Sequence, residues 1–180
     1  MRAFGELDVD AVITTASGCG AQLAEYPSLH HNDIARRFGK QVVDISLFLA
    51  EHWPDDLQPA PRPGRIAVHE PCSLTYLLPG RAAVHTLLEK IPRLEVIALP
   101  GGNLCCGAAG SYCLTQAEMA NALRAPLLDQ INACAPEMLV TSNIGCGLHI
   151  AAGLRAAGHD IPVLHPIQLL EESLQNRLCN

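Results

Sequence analysis

Apolar residues in this chain come in short runs that alternate with stretches of helical spacing. Val9 to Ala16 (VDAVITTA) is rich in β-branched residues and predicts a buried strand, ending in Ser17-Gly18-Cys19-Gly20 before a helical stretch. Val42-Val43-Asp44 predicts a second strand, leading into a helical run around Leu47 to Glu51. Arg65 to His69 (RIAVH) and Leu94 to Leu99 (LEVIAL) predict two more, the latter closed by a Pro100-Gly101-Gly102 turn. Between them Val84, Leu87, Leu88 and Ile91 recur at helical spacing within Arg81 to Ile91. Thr115 and Glu118 form a capping-box pattern for a long helix that carries Ala120, Leu123, Leu127 and Ile131 on one face, with a kink expected at Pro126. Met138 to Ser142 (MLVTS) predicts a strand that ends in Asn143-Ile144-Gly145-Cys146-Gly147, followed by a helix over Leu148 to Ala157. Val163-Leu164-His165 then leads into a helical run from Leu169 to Leu174.

Two of these units read as one repeat. With Cys19 placed on Cys146, Val12, Ile13, Thr14, Gly18 and Gly20 fall on Leu139, Val140, Thr141, Gly145 and Gly147. The following strands, at Val42 and Val163, correspond as well. Pro54 to Gly64 (PDDLQPAPRPG) holds four prolines and predicts a linker between the copies. The expected domains are 1–53, a remnant of the first cysteine-rich repeat; 54–64, the Pro-rich linker; and 65–180, a complete second repeat. The second copy contains strand–Cys, strand–Cys–Cys and strand–Cys, whereas the first contains only the last of these, at Cys19. The chain is therefore expected to begin inside its first repeat, the remainder being missing or carried by another chain.

Strands alternating with helices predict the α/β class: a mostly parallel sheet with flanking helices, in two pseudo-repeats of which the first is incomplete. Sites in such sheets gather at the carboxyl ends of the strands. Cys72, Cys105–Cys106 and Cys146 each follow a predicted strand, so residues distant in sequence are expected to converge on one sheet edge.

With 180 residues, about half of them hydrophobic, the chain can bury an ordinary core. The net charge of −6 and the scattered basic residues argue against a nucleic-acid surface. No apolar run approaches a membrane span, and Arg2 is followed by Glu6, Asp8 and Asp10 rather than by an apolar leader. A cytoplasmic location is expected, with association at the inner face of a membrane through a partner as its variant. Eight cysteines in a reducing compartment point to metal binding or thiol chemistry rather than disulfides.

Thiolates suit both iron–sulfur clusters and zinc. The adjacent pair Cys105–Cys106 favours a cluster. Neighbouring side chains of an extended chain point apart, so a turn, permitted by Gly107 and Gly110, is needed to aim both sulfurs at one site. Two adjacent thiolates on one zinc would be cramped, whereas a cluster offers separate irons. Gly145 and Gly147 around Cys146, and Gly18 and Gly20 around Cys19, would let a bulky inorganic core approach the backbone.

The strings HEPC, LCCGAAGSY and PEMLVTSNIGCGLHIA, together with TASGCG, resemble the cysteine-rich CCG domain shared by glycolate oxidase iron–sulfur subunits, lactate-utilisation proteins and a subunit of heterodisulfide reductase. The resemblance covers nearly the whole chain and corresponds to the C-terminal part of the glycolate oxidase subunit. Two features depart from the family. The ferredoxin-like C-x2-C-x2-C-x3-C region is absent, and Asn143 stands where heterodisulfide reductase relatives carry the first cysteine of C-x-x-C.

The resemblance implies an iron–sulfur cluster, [4Fe-4S] in type, held by Cys72, Cys105, Cys106 and Cys146, with Cys19 as a further metal ligand. Gly107, Gly145 and His69 are expected beside the cofactor. It also implies electron transfer within a complex that oxidises glycolate or D-lactate at a flavin on partner flavoprotein subunits. No catalytic residue is expected in this chain itself.

Plainer alternatives stand beside these expectations. The cysteines could be buried and inert, or could hold a structural zinc in an interaction module, or could form a thiol–disulfide pair at Cys105–Cys106. His69 could be a satisfied strand-end residue. His149 and His165 are weaker candidates, and His30–His31 reads as a solvated loop. Gly18-Cys19-Gly20 with Asp44 is half of a dinucleotide fingerprint, but Leu23 stands where the third glycine belongs. Cys113 and Cys134 are expected to pack around a helix, and Cys179 to lie free at the terminus.

Overall fold

Strand β3 (Gly64–His69) lies inside the larger sheet and positions the elements around it. The computed structural model describes residues 8–100 and 104–178. β3 pairs with β4 (Leu94–Ala98) on one side and with β5 (Met138–Thr141) on the other; β6 (Val163–Leu164) lies outside β5. All of these pairs are parallel. β1 (Val12–Thr14) and β2 (Val42–Asp44) form a separate parallel pair.

Parallel neighbours need long crossovers, and helices provide them. α1 (Ser17–Ala24), α2 (Tyr26–Leu29) and α3 (Asp33–Gln41) join β1 to β2, and α4 (Ile45–Glu51) follows β2. α5 (Cys72–Tyr76) and α6 (Arg81–Leu88) join β3 to β4. α7 (Tyr112–Thr115) and α8 (Ala117–Cys134) join β4 to β5, α9 (Ile144–Ala156) joins β5 to β6, and α10 (Pro166–Leu178) follows β6. The class is α/β, with parallel sheets flanked by helices.

Side chains of β3 alternate between two cores. Ile66 and Val68 pack with Leu74, Leu87, Leu88, Val140 and Leu169 on one face. Ala67 packs on the other with Leu127, Ile131, Leu139, Ile150 and Leu154. A strand covered on both faces has no polar side, which is why RIAVH reads as a continuous apolar run. Cys106 and Cys146 belong to the second core, so the candidate site is anchored in packed structure rather than on a loop tip.

The two strand–helix–strand–helix units share one register. Val12 pairs with Val42 and Ile13 with Val43, as Leu139 pairs with Val163 and Val140 with Leu164. The units meet where β1 and β5 end: the Ser17 amide donates to the Ser142 carbonyl at 3.2 Å.

Several local expectations are corrected. α9 begins at Ile144 and α1 at Ser17, so Cys146 and Cys19 lie in the first turns of helices rather than in loops before them. Asn143 explains the early start of α9: its side chain accepts the Gly145 amide at 2.9 Å, an N-cap bond. α3 is an amphipathic helix that was not singled out from the sequence; it buries Ala35 and Phe38, carries Arg36, Arg37 and Lys40, and is capped by Asn32 through the Ala35 amide. The capping box at Thr115 and Glu118 does not form. Thr115 ends α7, its hydroxyl donates back to the Ser111 carbonyl, and Gln116 precedes α8 without a side-chain cap.

α8 continues through Pro126, and Leu123 is 44% exposed while Ala120, Leu127 and Ile131 are buried. The stretch from Pro54 to Pro63 carries no helix or strand but is tied down, by the Ala60 amide on the Ser173 carbonyl and by Arg62 on Glu172 at 2.7 Å. Arg2, Glu6, Gly101, Gly102 and Cys179 lie outside the described residues. Among the described residues no helix is long and apolar enough to cross a membrane.

Candidate metal centre

Parallel pairing puts the carboxyl ends of β3, β4 and β5 on the same side of the sheet, and the cysteines follow those ends. Cys72 is the first residue of α5, three positions beyond His69. Cys146 is the third residue of α9, just after β5. Cys105–Cys106 lies on the segment that leaves β4, in a turn where Gly107 (φ +79°), Ala109 (φ +38°) and Gly110 (φ +63°) all take left-handed backbone. Gly107 also approaches α8 so closely that a Cβ there would stand 2.4 Å from the Ala120 carbonyl oxygen. The turn is thus pressed against α8, and the pair is aimed from a fixed base.

The four cysteines surround one cavity of about 480 Å³. Cys106 and Cys146 are buried in it, with sulfurs 2.8 Å apart; Cys72 and Cys105 stand exposed at its mouth. The adjacent pair does not splay: Cys105 Sγ accepts the Gly107 amide at 3.4 Å while Cys106 Sγ meets Cys146. Cys19, from the third position of α1, lines the same cavity from the other unit. All five cysteines expected as ligands therefore face one space. Cys113 and Cys134 do not: the Cys113 thiol is directed at the Gly110 carbonyl, and Cys134 closes α8.

The thiols titrate as neighbours. The hydrogen bond from Cys146 lowers the pKa of Cys106 to about 7, and the same bond, with burial and the nearby Cys106, Cys72 and Cys105, raises that of Cys146. The two thiols oppose each other's ionisation, because a second negative charge so close is costly. Partial burial, then Cys105 and Cys106, push the Cys72 thiol up. Such crowding of potential thiolates favours a cation among them.

His69 is the sixth group. It is buried, its Nδ1 lies 3.0 Å from Thr141 Oγ1, and its donor atom falls within 4.8 Å of the Cys106 and Cys146 sulfurs. Burial lowers its pKa to about 4, outweighing the upward pull of the Leu104 backbone and Glu70, so the imidazole is neutral. Nε2 is buried and has no hydrogen-bond partner within normal geometry among the described residues. A neutral imidazole with a free nitrogen beside two buried sulfurs can ligate a metal or donate to a thiolate. Glu70 of the HEPC string is occupied elsewhere, paired with Arg81 at 2.7 Å and His85 at 3.1 Å.

Residues 66–151 match the model of the CCG cysteine-rich domain. That span takes in β3, the cysteine pair and the first turn of α9, the elements that build the cavity. Residues 66–151 are a CCG domain. The CCG match is extended by whole-chain relatives. The glycolate oxidase iron-sulfur subunit of Escherichia coli (strain K12) is 33% identical over 94% of this chain and 41% of its own length. Lactate utilization protein A of Geobacillus kaustophilus is 29% identical over 94% of this chain and 72% of its own length. The probable glycolate oxidase iron-sulfur subunit of Bacillus subtilis (strain 168) is 31% identical over 96% of this chain and 41% of its own length. The chain thus spans about two fifths of the iron-sulfur subunits it matches, and the similarity reaches beyond the CCG domain into the first unit.

Two residues of the CCG site escape a reading of the sequence. Thr141 orients His69, a role its alignment with Thr14 in the repeat could have flagged. Ser73 bridges the two units, with its hydroxyl 2.8 Å from Ser17 Oγ and accepting from Asn143 Nδ2 at 3.4 Å. Asn143 stands in the place of a thiolate, but Asn directly before a glycine-flanked helix start is also an N-cap signal. His149 and His165 lie away from the thiols: His149 contacts Arg124, and His165 Nδ1 accepts the Ile167 amide.

Proposed function

We propose that this chain holds an iron–sulfur cluster, [4Fe-4S] in type, through Cys72, Cys105, Cys106 and Cys146, and passes electrons within a redox complex. The observation that carries the reading is the convergence of four thiols on one cavity at the carboxyl ends of three parallel strands, with a neutral, buried His69 within 4.8 Å of the Cys106 and Cys146 sulfurs. The similarity to iron-sulfur subunits supports it. Cys19 is a fifth ligand candidate, offered by the first unit. A bound cluster would supply one-electron storage and transfer.

The residues of the chain hold and tune that group. The Gly107 amide donates to the Cys105 sulfur, and sulfur hydrogen bonds of this kind stabilise negative charge on the cluster and shift its potential. Gly145 and the first-turn amides of α9 leave the backbone close to Cys146. The Leu127, Ile131 and Ile150 core behind Cys106 and Cys146 excludes water from one side of the site.

By analogy with the relatives, the parent complex oxidises a 2-hydroxy acid such as glycolate or lactate on a flavoprotein partner, and this chain receives the electrons. Residues 1–53 act as part of a first cysteine-rich repeat, 54–64 as the linker, and 65–180 as the second repeat. The complex works in the cytoplasm or at the inner face of the membrane, reached through the partner.

The test is anaerobic purification of the chain with measurement of iron, acid-labile sulfide and EPR of the reduced protein. Iron and sulfide in equal amounts with a paramagnetic reduced state is the expected result. Stoichiometric zinc without sulfide, or a metal-free chain that cannot be reconstituted, overturns the reading.

A further inference from the structure

One side chain reaches all three helix starts that carry cysteines into the cavity. Asn143 lies between β5 and α9. Its Oδ1 accepts the Gly145 amide at 2.9 Å, which fixes the first turn of α9 beside Cys146. Its Nδ2 donates to Ser73 Oγ at 3.4 Å, and Ser73 directly follows Cys72 in α5. The same Nδ2 lies against α1, since a Cβ on Gly18, the residue before Cys19, would stand 2.8 Å from it. Ser73 Oγ carries the network on to Ser17 Oγ at 2.8 Å, in the first residue of α1. Cys19, Cys72 and Cys146 thus each adjoin a residue of one hydrogen-bonded cluster. Cys105 is held separately, by the turn pressed against α8.

The cluster is buried and spans both units. Ser17 is 0% and Ser73 6% exposed, and the two side-chain bonds join residues 56 and 70 positions apart. They form only when the units are packed together, and water does not reach in to replace them. Gly18 shows how close the fit is. It is the second residue of α1 and has no left-handed backbone, so alanine would ordinarily suit it better. The approach of the Asn143 amide, not the backbone conformation, excludes a side chain there.

We propose that Asn143, acting with Ser73 and Ser17, is a positioning residue of the metal centre that sets Cys19 of the first unit against Cys72 and Cys146 of the second. It is not itself a ligand, because both ends of its amide are engaged, Oδ1 with the backbone of α9 and Nδ2 with Ser73. It works through the cysteines beside its partners. Residues outside the ligand set tune a metal site by fixing where the ligand atoms stand. The purpose given to this cluster rests on the metal-centre reading, but the geometry it enforces belongs to the metal-free chain and is tested there.

Three substitutions break the cluster by separate routes. Asn143→Ser keeps a good N-cap for α9 but is too short to reach Ser73. Ser73→Ala removes the shared acceptor. Gly18→Ala pushes the amide off its bond while giving α1 a better helix former. The full chain, metal-free and reduced, is treated with dibromobimane, which joins two thiols a few ångströms apart, and the joined peptides are measured by mass spectrometry. Cys19 should be joined to Cys72 or Cys105, the exposed thiols at the mouth of the cavity. This joining should fall about threefold or more in each variant, the factor expected for loss of one hydrogen bond. The double variant of Asn143→Ser with Ser73→Ala should lose no more than either alone. Reaction of Cys19 with iodoacetamide, which needs one thiol only, should be unchanged. After reconstitution with iron and sulfide, the one-electron midpoint potential should move in the same direction in all three variants. No joining of Cys19 in the native chain, native-level joining in two of the three variants, or losses that add in the double variant overturns the proposal. A native chain that takes up no cluster counts against the metal-centre reading alone, and the joining of Cys19 still decides the role of Asn143.

Discussion

Asp44 and His165 occupy the same place in the two units and do the same work with different chemistry. Asp44 Oδ1 accepts the Ser46 amide at 2.8 Å, and His165 Nδ1 accepts the Ile167 amide at 3.2 Å, so each caps the helix that follows its strand. The two side chains also face each other across the junction of the units, close enough for Asp44 to pull the His165 pKa upward. A carboxylate and an imidazole both offer an acceptor at that distance from the backbone, which is why the position tolerates either. Asp44→Ala should destabilise the chain by about 1–2 kcal/mol in urea unfolding, and Asp44→Asn, which keeps the acceptor, by clearly less.

The pH dependence of stability follows from the buried histidines. Burial holds His69 near pKa 4 and also lowers His165, against the opposing pull of Asp44 and the Thr15 backbone. Both are neutral in the folded chain. Above the ordinary histidine pKa of about 6.5 the unfolded chain is neutral too, and nothing is lost. As pH falls below that, the unfolded chain takes up protons that the folded chain refuses, so stability declines, for His69 down to about pH 4. The full span for His69 corresponds to at most about 3 kcal/mol. Urea midpoints of the metal-free chain should drop between neutral pH and about pH 5, and His69→Gln should flatten the profile.

Thiol-to-hydroxyl substitutions should separate the cavity cysteines from the rest. Cys106→Ser and Cys146→Ser remove the buried pair and should abolish iron and sulfide retention. Cys72→Ser and Cys105→Ser, at the mouth, should lower it or change the EPR spectrum. Cys113→Ser and Cys134→Ser should leave both unchanged, since neither thiol faces the cavity. Iron and sulfide analysis of the six variants, purified side by side, checks the assignment.

Gly107 and Gly110 test how rigidly the cysteine turn is held. Both have positive φ, but a Cβ at Gly107 meets the Ala120 carbonyl while one at Gly110 meets nothing within 4 Å. Gly110→Ala should cost about 1 kcal/mol from backbone strain alone. Gly107→Ala adds a clash with the backbone of α8 and should cost roughly 3 kcal/mol or more, with loss of the Cys105–Cys106 geometry. Thermal unfolding and cluster content together read both effects.

Much of the fold was legible because its signals are local. RIAVH, LEVIAL and MLVTS are apolar runs bounded by turns, and they become β3, β4 and β5 within a residue or so at each end. The repeat could be read from matched residues around Cys19 and Cys146, and the placing of cysteines after strands followed from parallel topology. Short helices were not legible. α5 spans only Cys72–Tyr76, too short for a periodic pattern, whereas α3 is amphipathic and Asn-capped but brief, so its signal was there without being long. Leu123 belongs to the expected apolar face of α8 but faces outward, because which arc of a helix is covered depends on what packs there.

The amino-acid order alone determined the strands, the residue types able to hold a metal and the correspondence of the two units, since each depends on neighbours in sequence. Only the tertiary structure decided that Cys19 shares the cavity of Cys72, Cys105, Cys106 and Cys146, and that His69 brings a ring nitrogen within 4.8 Å of two buried sulfurs. It alone decided, too, that Asn143 reaches the starts of all three helices that carry Cys19, Cys72 and Cys146. Those facts depend on how separate elements pack, and packing is set by the whole set of buried contacts rather than by any stretch of the chain.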